Sequence, residues 1–260
     1  MEQRTLGSSG LEVSVFGLGT MTFGHESDEA TSHAILDRYV EAGGGFIDTA
    51  DVYTHGVSEE IIGRWLAKRG GVDSLVVATK ARFPMSDDPA DRGAGRAYLN
   101  RAVDASLRRL GVDVIDLYQI HAWDPNTPVD ETMETLNSFI EAGKVRYVGV
   151  SNFLGWQLER AIQTTERNGW APVASLQPQY NLLAREIELE LIPLCLDRGV
   201  GILPWSPLGG GWLTGKYERT TKPTGASRLG EDPTRGLEAY NVRDTEGTWR
   251  ILDGVRAVAE

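Results

Sequence analysis

Four residues have side chains suited to protonating a carbonyl oxygen: Asp48, Tyr53, Lys80 and His121. A tyrosine hydroxyl can donate that proton, although its unperturbed pKa is about 10. A nearby lysine ammonium stabilises the phenolate and lowers this pKa, while an aspartate keeps the lysine charged when burial favours its neutral form. A histidine that hydrogen-bonds the same carbonyl oxygen orients it. Brought together, the four groups form a general acid for a carbonyl that becomes an alkoxide.

Each of these residues also has an ordinary explanation when it is taken alone. Asp48 can cap a turn, Lys80 can end a strand in solvent because lysine is rarely buried, and a lone histidine is more often structural than catalytic. Asp51, three residues after Asp48, is best explained as a turn residue. The chemistry therefore depends on the elements that bring the four residues together.

Short apolar runs rich in β-branched residues alternate with amphipathic segments along the chain. The runs occupy residues 15–19, 46–50, 75–80, 114–121, 145–151, 173–179 and 201–206. Several are nearly continuous Val, Ile and Leu, as expected for parallel strands that are covered on both faces. The segments between them have helical periodicity, so the chain predicts a parallel sheet with right-handed crossovers.

Two α/β architectures satisfy this alternation, an open doubly wound sheet and a closed (β/α)8 TIM barrel. No GxGxxG fingerprint follows the first strand, since GLGTM at its end is not one, so the open dinucleotide-binding sheet lacks its best signal. Residues 1–14 predict an antiparallel hairpin, turned at Ser8-Ser9-Gly10, that plugs the barrel. We expect about seven of the eight strand–helix units of a barrel, in one domain over residues 1–260 without an eighth strand.

Local signals also predict two helix starts. The stretch Thr127-Pro128-Val129-Asp130 is typical of an N-cap, a proline at the first helical position and a capping-box acid. Pro193 lies inside the helical pattern of residues 187–198 and predicts a kink or a late start there.

Polar or titratable residues follow nearly every predicted strand at its C-terminal end. In chain order they are Thr20 with Met21, Asp48, Lys80, His121, Ser151 with Asn152, Gln177, and Trp205 with Ser206. In a parallel barrel these ends share one face, and active sites form on that face. Packing alone does not explain so regular a series.

Reduction of a carbonyl also needs a hydride, and because no side chain supplies one, a nicotinamide cofactor is implied. Trp205 offers a flat face for the nicotinamide ring. Hydrogen bonds to its amide are available from Ser151, Asn152 and Gln177. The segment PLGGGWLTGK, residues 207–216, offers free backbone N–H groups and Lys216 to a pyrophosphate.

The segments FIDTADVY, LVVATK, LYQIH, VGVSN and WSPLGGGWLTGK together resemble the aldo-keto reductase family over essentially the whole chain. The sequence of the last segment is similar to that of a bacterial branch of the family, and this branch also resembles potassium-channel β subunits. The resemblance implies a (β/α)8 barrel, NADPH (oxidised to NADP+) as hydride donor, and reduction of an aldehyde or ketone. It makes Asp48, Tyr53, Lys80 and His121 a catalytic tetrad.

The same resemblance implies a set of cofactor-binding residues. They are Thr20, Met21, Asp48, Ser151, Asn152, Gln177, Trp205, Ser206, Pro207, Leu208, Gly209, Gly210, Lys216 and Arg228. The family binds the adenosine and its 2′-phosphate mainly after the eighth strand, for which this sequence has no counterpart. We therefore expect a C-terminally truncated chain that lacks the C-terminal cofactor loop and binds NADPH weakly by itself.

The amino-acid composition disfavours several classes of binding partner. The 37 acidic and 26 basic residues give a formal net charge of −11, which disfavours nucleic acid and anionic membrane surfaces as partners. The single cysteine, Cys195, excludes an internal disulfide and fits a cytoplasmic protein. No metal-ligand spacing is present, so we expect a small-molecule carbonyl substrate and no metal.

Two other functions remain compatible with these residues. A non-catalytic redox-sensor subunit would keep the cofactor pocket, but the channel subunits usually carry asparagine at the position that matches His121. An aldolase would use Lys80 as a Schiff base, which Asp48 opposes by keeping Lys80 charged. Apolar residues near the strand ends indicate a pocket for aromatic or aliphatic aldehydes or, equally, packing at the rim: Met21, Phe23, Tyr53, Phe83 and Trp123.

Overall fold

The computed structural model describes residues 1–70, 74–219, 221–225, 228–232, 234 and 236–259, apart from the side chains of Arg228 and Glu231. The strands are β1 (Gln3–Thr5), β2 (Glu12–Ser14), β3 (Leu18–Gly19), β4 (Phe46–Asp48), β5 (Val76–Ala81), β6 (Ile115–Ile120), β7 (Val145–Ser151), β8 (Val173–Gln177) and β9 (Gly201–Ile202). The helices are α1 (Glu29–Glu41), α2 (Val57–Arg69), α3 (Arg96–Leu110), α4 (Val129–Glu141), α5 (Gly155–Asn168), α6 (Leu191–Arg198), α7 (Arg228–Glu231), α8 (Tyr240–Arg243) and α9 (Glu246–Ala259). No helix within these described ranges is both long and apolar enough to cross a bilayer.

Seven strands of the described chain form one parallel sheet, in the order β3 to β9 along the sequence. The predicted alternation of parallel strands and helices is therefore confirmed. Strands β5 to β8 are almost entirely buried, which explains their continuous apolar runs. Because all seven strands run in the same direction, their C-terminal ends lie along one edge.

The last strand is shorter than its sequence pattern. The run over residues 201–206 predicts six residues, whereas β9 contains only Gly201 and Ile202. Pro204 has no N–H group, so it cannot continue the ladder of hydrogen bonds.

The N-terminal hairpin forms as predicted and lies at the amino ends of the strands. Strands β1 and β2 pair antiparallel, with Gln3 opposite Ser14. The Ser14 hydroxyl accepts a hydrogen bond from the Gly45 N–H at 3.1 Å, just before β4 begins. The Ser8 N–H donates to the Gly199 carbonyl at 2.8 Å, just before β9. The hairpin therefore lies at the edge opposite the polar strand ends.

The two predicted helix starts have different outcomes. The Thr127 cap is wrong, because α4 begins at Val129 after Pro128 and no side chain caps it. The Thr127 hydroxyl donates instead to the Asp124 carboxylate at 2.7 Å, and a charged acceptor makes the stronger hydrogen bond. The late start at Pro193 is confirmed, since α6 begins at Leu191 and the proline lies in the first turn, where no N–H group is needed.

The chain divides into two compact units. The first comprises Met1–Gln177 and Pro193–Ile202, and the second comprises Pro178–Ile192 and Leu203–Glu260. The first unit contains the whole sheet. The second has a small core of its own, formed by Trp212, Tyr217, Leu229, Tyr240, Trp249 and Leu252. The single domain over residues 1–260, lacking an eighth strand, stays a prediction.

In the first unit, α2 carries a buried carboxylate, Glu59. One of its oxygens accepts the Thr79 hydroxyl at 2.6 Å, and the other lies 2.6 Å from the Arg109 guanidinium. Glu59 is fully buried, so removing its charge leaves a mostly buried arginine without compensation. This ion pair therefore ties α2 to β5 and α3.

We predict that Glu59→Gln lowers the free energy of unfolding by about 3 kcal/mol, because breaking a buried pair is costly. The matched control is Glu60→Gln, which removes the neighbouring carboxylate of an exposed pair with Arg64. It should change the same free energy by less than about 1 kcal/mol. Urea unfolding followed by circular dichroism measures both, and equal midpoints for the two variants would contradict the assigned role.

Candidate active site

The predicted ion pair between Asp48 and Lys80 is present at the ends of β4 and β5. Lys80 is fully buried, and its Nζ donates to Asp48 Oδ2 at 2.6 Å and to the Thr49 carbonyl at 2.7 Å. Burial alone lowers the pKa of Lys80, but the charge of Asp48 and the hydroxyl of Tyr53 outweigh it and raise this pKa above its ordinary value. Lys80 therefore stays an ammonium although no water reaches it.

Tyr53 follows β4 and begins a 3₁₀ turn, Tyr53–Gly56. Its hydroxyl is hydrogen-bonded to Lys80, whose Nζ lies 5.1 Å from the centre of the tyrosine ring. The next two residues, Thr54 and His55, both have φ near 50°, a left-handed conformation that costs about 1–2 kcal/mol per residue. The Thr54 hydroxyl holds this turn by donating to the Phe23 carbonyl at 3.0 Å. The strained turn thus fixes Tyr53 beside the ammonium.

His121 directly follows β6 and faces Tyr53. The two rings meet edge to face with their centres 5.8 Å apart. Burial, and then the charges of Lys80 and Arg82, hold the pKa of His121 well below its ordinary value, so the imidazole is neutral. Its Nδ1 is buried and has no hydrogen-bond partner among the described residues. A neutral imidazole has one N–H group, which can be donated to a ligand oxygen.

Asp48 is held by two glutamines in addition to Lys80. Its Oδ1 accepts the side-chain amide of Gln177 at 2.9 Å and that of Gln119 at 3.4 Å. From the sequence Gln177 is predicted to contact the cofactor, whereas Gln119 is not predicted to be a site residue. Alternation along β6 was the available signal, because Gln119 and His121 point to the same face of that strand.

The other strand-end residues of the first unit form a connected set. Thr20 is fully buried, and its hydroxyl donates to the Asp48 carbonyl at 3.0 Å, whereas Met21 is half-buried. The Ser151 hydroxyl donates to the Gln177 carbonyl at 2.8 Å. The Asn152 side-chain amide donates to Ser151 Oγ and to the His121 carbonyl, each at 3.0 Å. Hydrogen bonds thus link most of these residues to one another and to the tetrad.

The glycine-rich segment of the second unit differs from its prediction. The N–H groups of Gly209, Gly210 and Gly211 are not free, because they donate within the turn to Ser206 and Leu208. All three glycines have positive φ, which lets the chain coil into a 3₁₀ turn, Gly209–Thr214, that pairs its own N–H groups.

Lys216 lies beside the same turn, and its predicted contact with a pyrophosphate stays a prediction. A Cβ on Gly211 would lie 2.6 Å from Lys216 Nζ, so the ammonium rests directly against the glycine backbone. Such a cation on a glycine turn fits a phosphate group. In this unit Trp205 is half-buried, and Pro207, Leu208 and Lys216 are exposed. The side chain of Arg228 lies outside the described residues.

The aromatic ring of Phe83 packs against His121, and three other aromatic rings form a separate cluster around Trp123. Phe83, half-buried, has its ring centre 4.7 Å from that of His121. The Trp123 ring contacts Phe153 and Trp156, each with 5.3 Å between ring centres. Phe23, in contrast, is completely buried and belongs to the core rather than to a pocket. Phe153 and Trp156 are not predicted from the sequence to lie near the site.

Arg82, like Gln119, is a residue that the sequence does not predict to be part of the site. It has φ 141°, and one terminal nitrogen donates to the Trp123 carbonyl at 3.1 Å. Its Nε is buried without a partner among the described residues. A buried, unpaired donor and a left-handed non-glycine backbone each cost about 1–3 kcal/mol. Strain of this size beside a cluster of titratable groups suggests a role in binding.

Asp51 lies in a turn as predicted, but its side chain is buried, with 1% exposed. The Tyr98 hydroxyl donates to its Oδ2 at 3.1 Å, and Oδ1 is buried without a partner in the described chain. Burial, followed by the charge of Glu59, raises the pKa of Asp51 to about 7. The Asp51 backbone N–H donates to the Lys80 carbonyl at 3.0 Å, which ties this turn to β5 beside the site.

The arrangement contains a proton donor, a buried cation that stabilises its conjugate base, and a neutral histidine that can orient an oxygen. No group of His, Cys, Asp and Glu side chains in the described ranges is suited to hold a metal ion. Such a site suits a carbonyl that gains a proton.

Comparison with known proteins assigns the class. Residues 15–251 match the model of the aldo/keto reductase family, and the chain belongs to that family. It is 41% identical, over 86% of its length and 72% of the relative's, to an uncharacterized oxidoreductase, YrpG, of Bacillus subtilis. It is 38% identical to versiconal hemiacetal acetate reductase of Aspergillus parasiticus, covering 100% of the chain and 81% of the relative. It is 33% identical to a probable voltage-gated potassium channel subunit beta of Arabidopsis thaliana, with 100% and 79% coverage.

The family has a (β/α)8-barrel fold, which the parallel sheet, its helices and the N-terminal hairpin match. The family and the oxidoreductases among its relatives support an oxidoreductase that acts on small carbonyl compounds.

We predict that Asp51→Asn changes how stability depends on pH. The pKa of Asp51 is about 7 in the folded state, whereas its ordinary value is 3.8. Between pH 3.8 and pH 7 the carboxyl is therefore protonated in the folded chain and ionised in the unfolded chain. The free energy of unfolding consequently falls as the pH rises through this range. The variant has no carboxyl to titrate at this position and so lacks this loss. The difference in free energy of unfolding, variant minus wild type, should therefore be about 2–3 kcal/mol larger at about pH 8 than at about pH 5.

Urea unfolding at both pH values measures the difference. The control is Asp87→Asn in an exposed loop, which should follow wild type at both pH values. An Asp51→Asn curve parallel to wild type would show that the carboxyl titrates in its ordinary range.

Proposed function

We propose that the protein uses NADPH to reduce an aldehyde or ketone to an alcohol, with Asp48, Tyr53, Lys80 and His121 as the catalytic residues. One observation carries the proposal: a fully buried lysine is bound at once to a carboxylate and to a half-buried tyrosine hydroxyl. This combination stabilises a phenolate and has no evident use in packing.

Tyr53 is the proposed proton donor. Its hydroxyl donates to the substrate's carbonyl oxygen and transfers its proton as negative charge develops there. The Lys80 ammonium stabilises the phenolate that remains, because the hydrogen bond to Tyr53 is already formed and needs no reorganisation. Asp48 holds Lys80 in its charged form.

His121 is the proposed orienting group. Because its imidazole is neutral, it can donate one N–H to the carbonyl oxygen without competing with Tyr53 as an acid. The hydrogen bond from Asn152 to the His121 carbonyl fixes the backbone that carries the ring.

NADPH, when bound, supplies the hydride. In the first unit, we assign its nicotinamide amide to Ser151, Asn152 and Gln177, and contacts near the ring to Thr20, Met21 and Asp48. In the second unit, Trp205 offers a face to the ring. The pyrophosphate contacts that we assign there are Ser206, Pro207, Leu208, Gly209, Gly210, Lys216 and Arg228. The position of the Lys216 ammonium against Gly211 supports this assignment.

A cytoplasmic location, supported by the single cysteine, is part of the same proposal.

A redox-sensor subunit is the second candidate, and the similarity to the Arabidopsis channel subunit favours it. A sensor subunit would bind the same cofactor as a reductase, but it would not turn over small aldehydes. The aldolase is disfavoured, because a Schiff base needs an unprotonated lysine and the pKa of Lys80 is raised.

We predict that Tyr53→Phe reduces the rate of NADPH oxidation by about 100-fold or more, since general acid catalysis contributes about 10²–10⁴. The measurement is loss of NADPH absorbance with a panel of aromatic and aliphatic aldehydes, at NADPH concentrations raised until the rate is constant. Tyr147→Phe, which removes a half-buried hydroxyl from β7, is the control and should retain the wild-type rate.

An unchanged rate in Tyr53→Phe would exclude Tyr53 as the acid. A wild-type chain that binds NADPH and turns over none of the aldehydes would favour the sensor.

A further inference from the structure

Arg82 is a half-buried cation near the candidate active site that forms no ion pair within the described chain. The other described arginines that are not exposed, Arg109 and Arg243, pair with Glu59 and Glu238. Only one terminal nitrogen of Arg82 is bonded, to the Trp123 carbonyl, and the described residues accept none of its other N–H groups. The guanidinium therefore has unused donors where the other two have carboxylates.

The position of Arg82 relates it to the tetrad. It comes two residues after Lys80, at the same end of β5. Its guanidinium carbon lies 5.3 Å from the centre of the Phe83 ring, and the same ring lies 4.7 Å from the His121 ring. The cation and the orienting histidine thus contact one phenyl ring.

The nearby Asp124 carboxylate does not account for Arg82. It accepts the Ala94 N–H at 2.8 Å, the Thr127 hydroxyl at 2.7 Å and the Asn126 N–H at 3.0 Å. These three bonds satisfy the carboxylate without the guanidinium, and the two residues form no ion pair. The described residues therefore give Arg82 one hydrogen bond, to the Trp123 carbonyl, and no carboxylate partner.

The geometry and charge of the Arg82 guanidinium indicate which kind of ligand it would bind. A planar fork of N–H donors matches a carboxylate, and a partly desolvated cation binds it more strongly than an exposed one. We propose that Arg82 binds a carboxylate of the substrate, so that the preferred substrates are aldehydes or ketones that carry a carboxylate. The aromatic rings of Phe83 and Trp123 fit an aromatic or similarly short spacer between the two groups. This inference rests on the proposed reductase function.

The test compares each carboxybenzaldehyde isomer (2-, 3- and 4-) with the uncharged carbamoylbenzaldehyde of the same shape. We expect wild type to favour the best carboxylate isomer in kcat/KM by about 10–100-fold, as a charge-assisted pair provides. Arg82→Met should bring this ratio near one, mainly through KM, and Arg82→Lys should retain part of it. Arg92→Met, which removes an exposed arginine of the same loop, should keep the wild-type ratio.

Two results would overturn the inference and leave the reductase intact. One is a wild-type ratio near one for all three isomers, which needs no variant. The other is an equal loss for charged and neutral substrates in Arg82→Met, which would indicate that Arg82 only supports the Trp123 backbone.

If wild type turned over neither class, the reductase proposal would fail, and calorimetry would decide the carboxylate site separately. For at least one of the 2-, 3- and 4-isomers, wild type should bind the carboxybenzyl alcohol at least about 10-fold more tightly than the carbamoylbenzyl alcohol, and Arg82→Met should not. Equal affinities in wild type for all three isomers would exclude a carboxylate site at Arg82.

Discussion

The ion pair between Lys80 and Asp48 joins an ammonium that is fully withdrawn from water to a carboxylate 2.6 Å away. An ammonium in such a place is several kcal/mol less stable than in water unless its charge is compensated. Asp48 provides that compensation, and the Thr49 carbonyl accepts a further hydrogen bond. The rest of the site depends on this pair, because Tyr53 has a charged neighbour only while Lys80 keeps its proton.

The sheet explains how the pair is held. Asp48 is in register with Ala78, and Lys80 lies two residues further along β5, on the same face. Lys80 is in register with Gln119 on β6, which brings that amide to Asp48. Gln177 reaches the same carboxylate from β8. Side chains from β5, β6 and β8 thus satisfy one half-buried carboxylate on β4, and a shift in any of these registers would disrupt it.

The sequence predicted the parts of this arrangement that follow from periodicity. Strand–helix alternation predicts parallel strands, and parallel strands place Asp48, Lys80 and His121 at one edge. The hairpin and the late start of α6 followed equally from turn residues and from Pro193. The pairing of Asp48 with Lys80 could be anticipated because they end neighbouring strands.

Other features depend on three-dimensional contacts that no local pattern encodes. Asp51 looks like an ordinary turn residue, and only the packing of Tyr98 and Glu59 around it makes it a buried acid. Arg82 has a left-handed backbone that a non-glycine residue does not predict, and its unpaired Nε becomes visible only in the folded structure. The N–H groups after Ser206 were expected to be free, but adjacent glycines at positive φ close a turn that pairs them internally.

The charge of Lys80 is the central claim, and its titration tests it most directly. The ¹³Cε signal of Lys80, assigned by its loss in Lys80→Met, can be followed by NMR as the pH is raised. We expect that Lys80 titrates above the ordinary pKa of lysine in wild type, and at a lower pKa in Asp48→Asn, where burial is no longer opposed by the carboxylate charge. Titration below the ordinary value in wild type would contradict the account, because Tyr53 would then have a neutral neighbour.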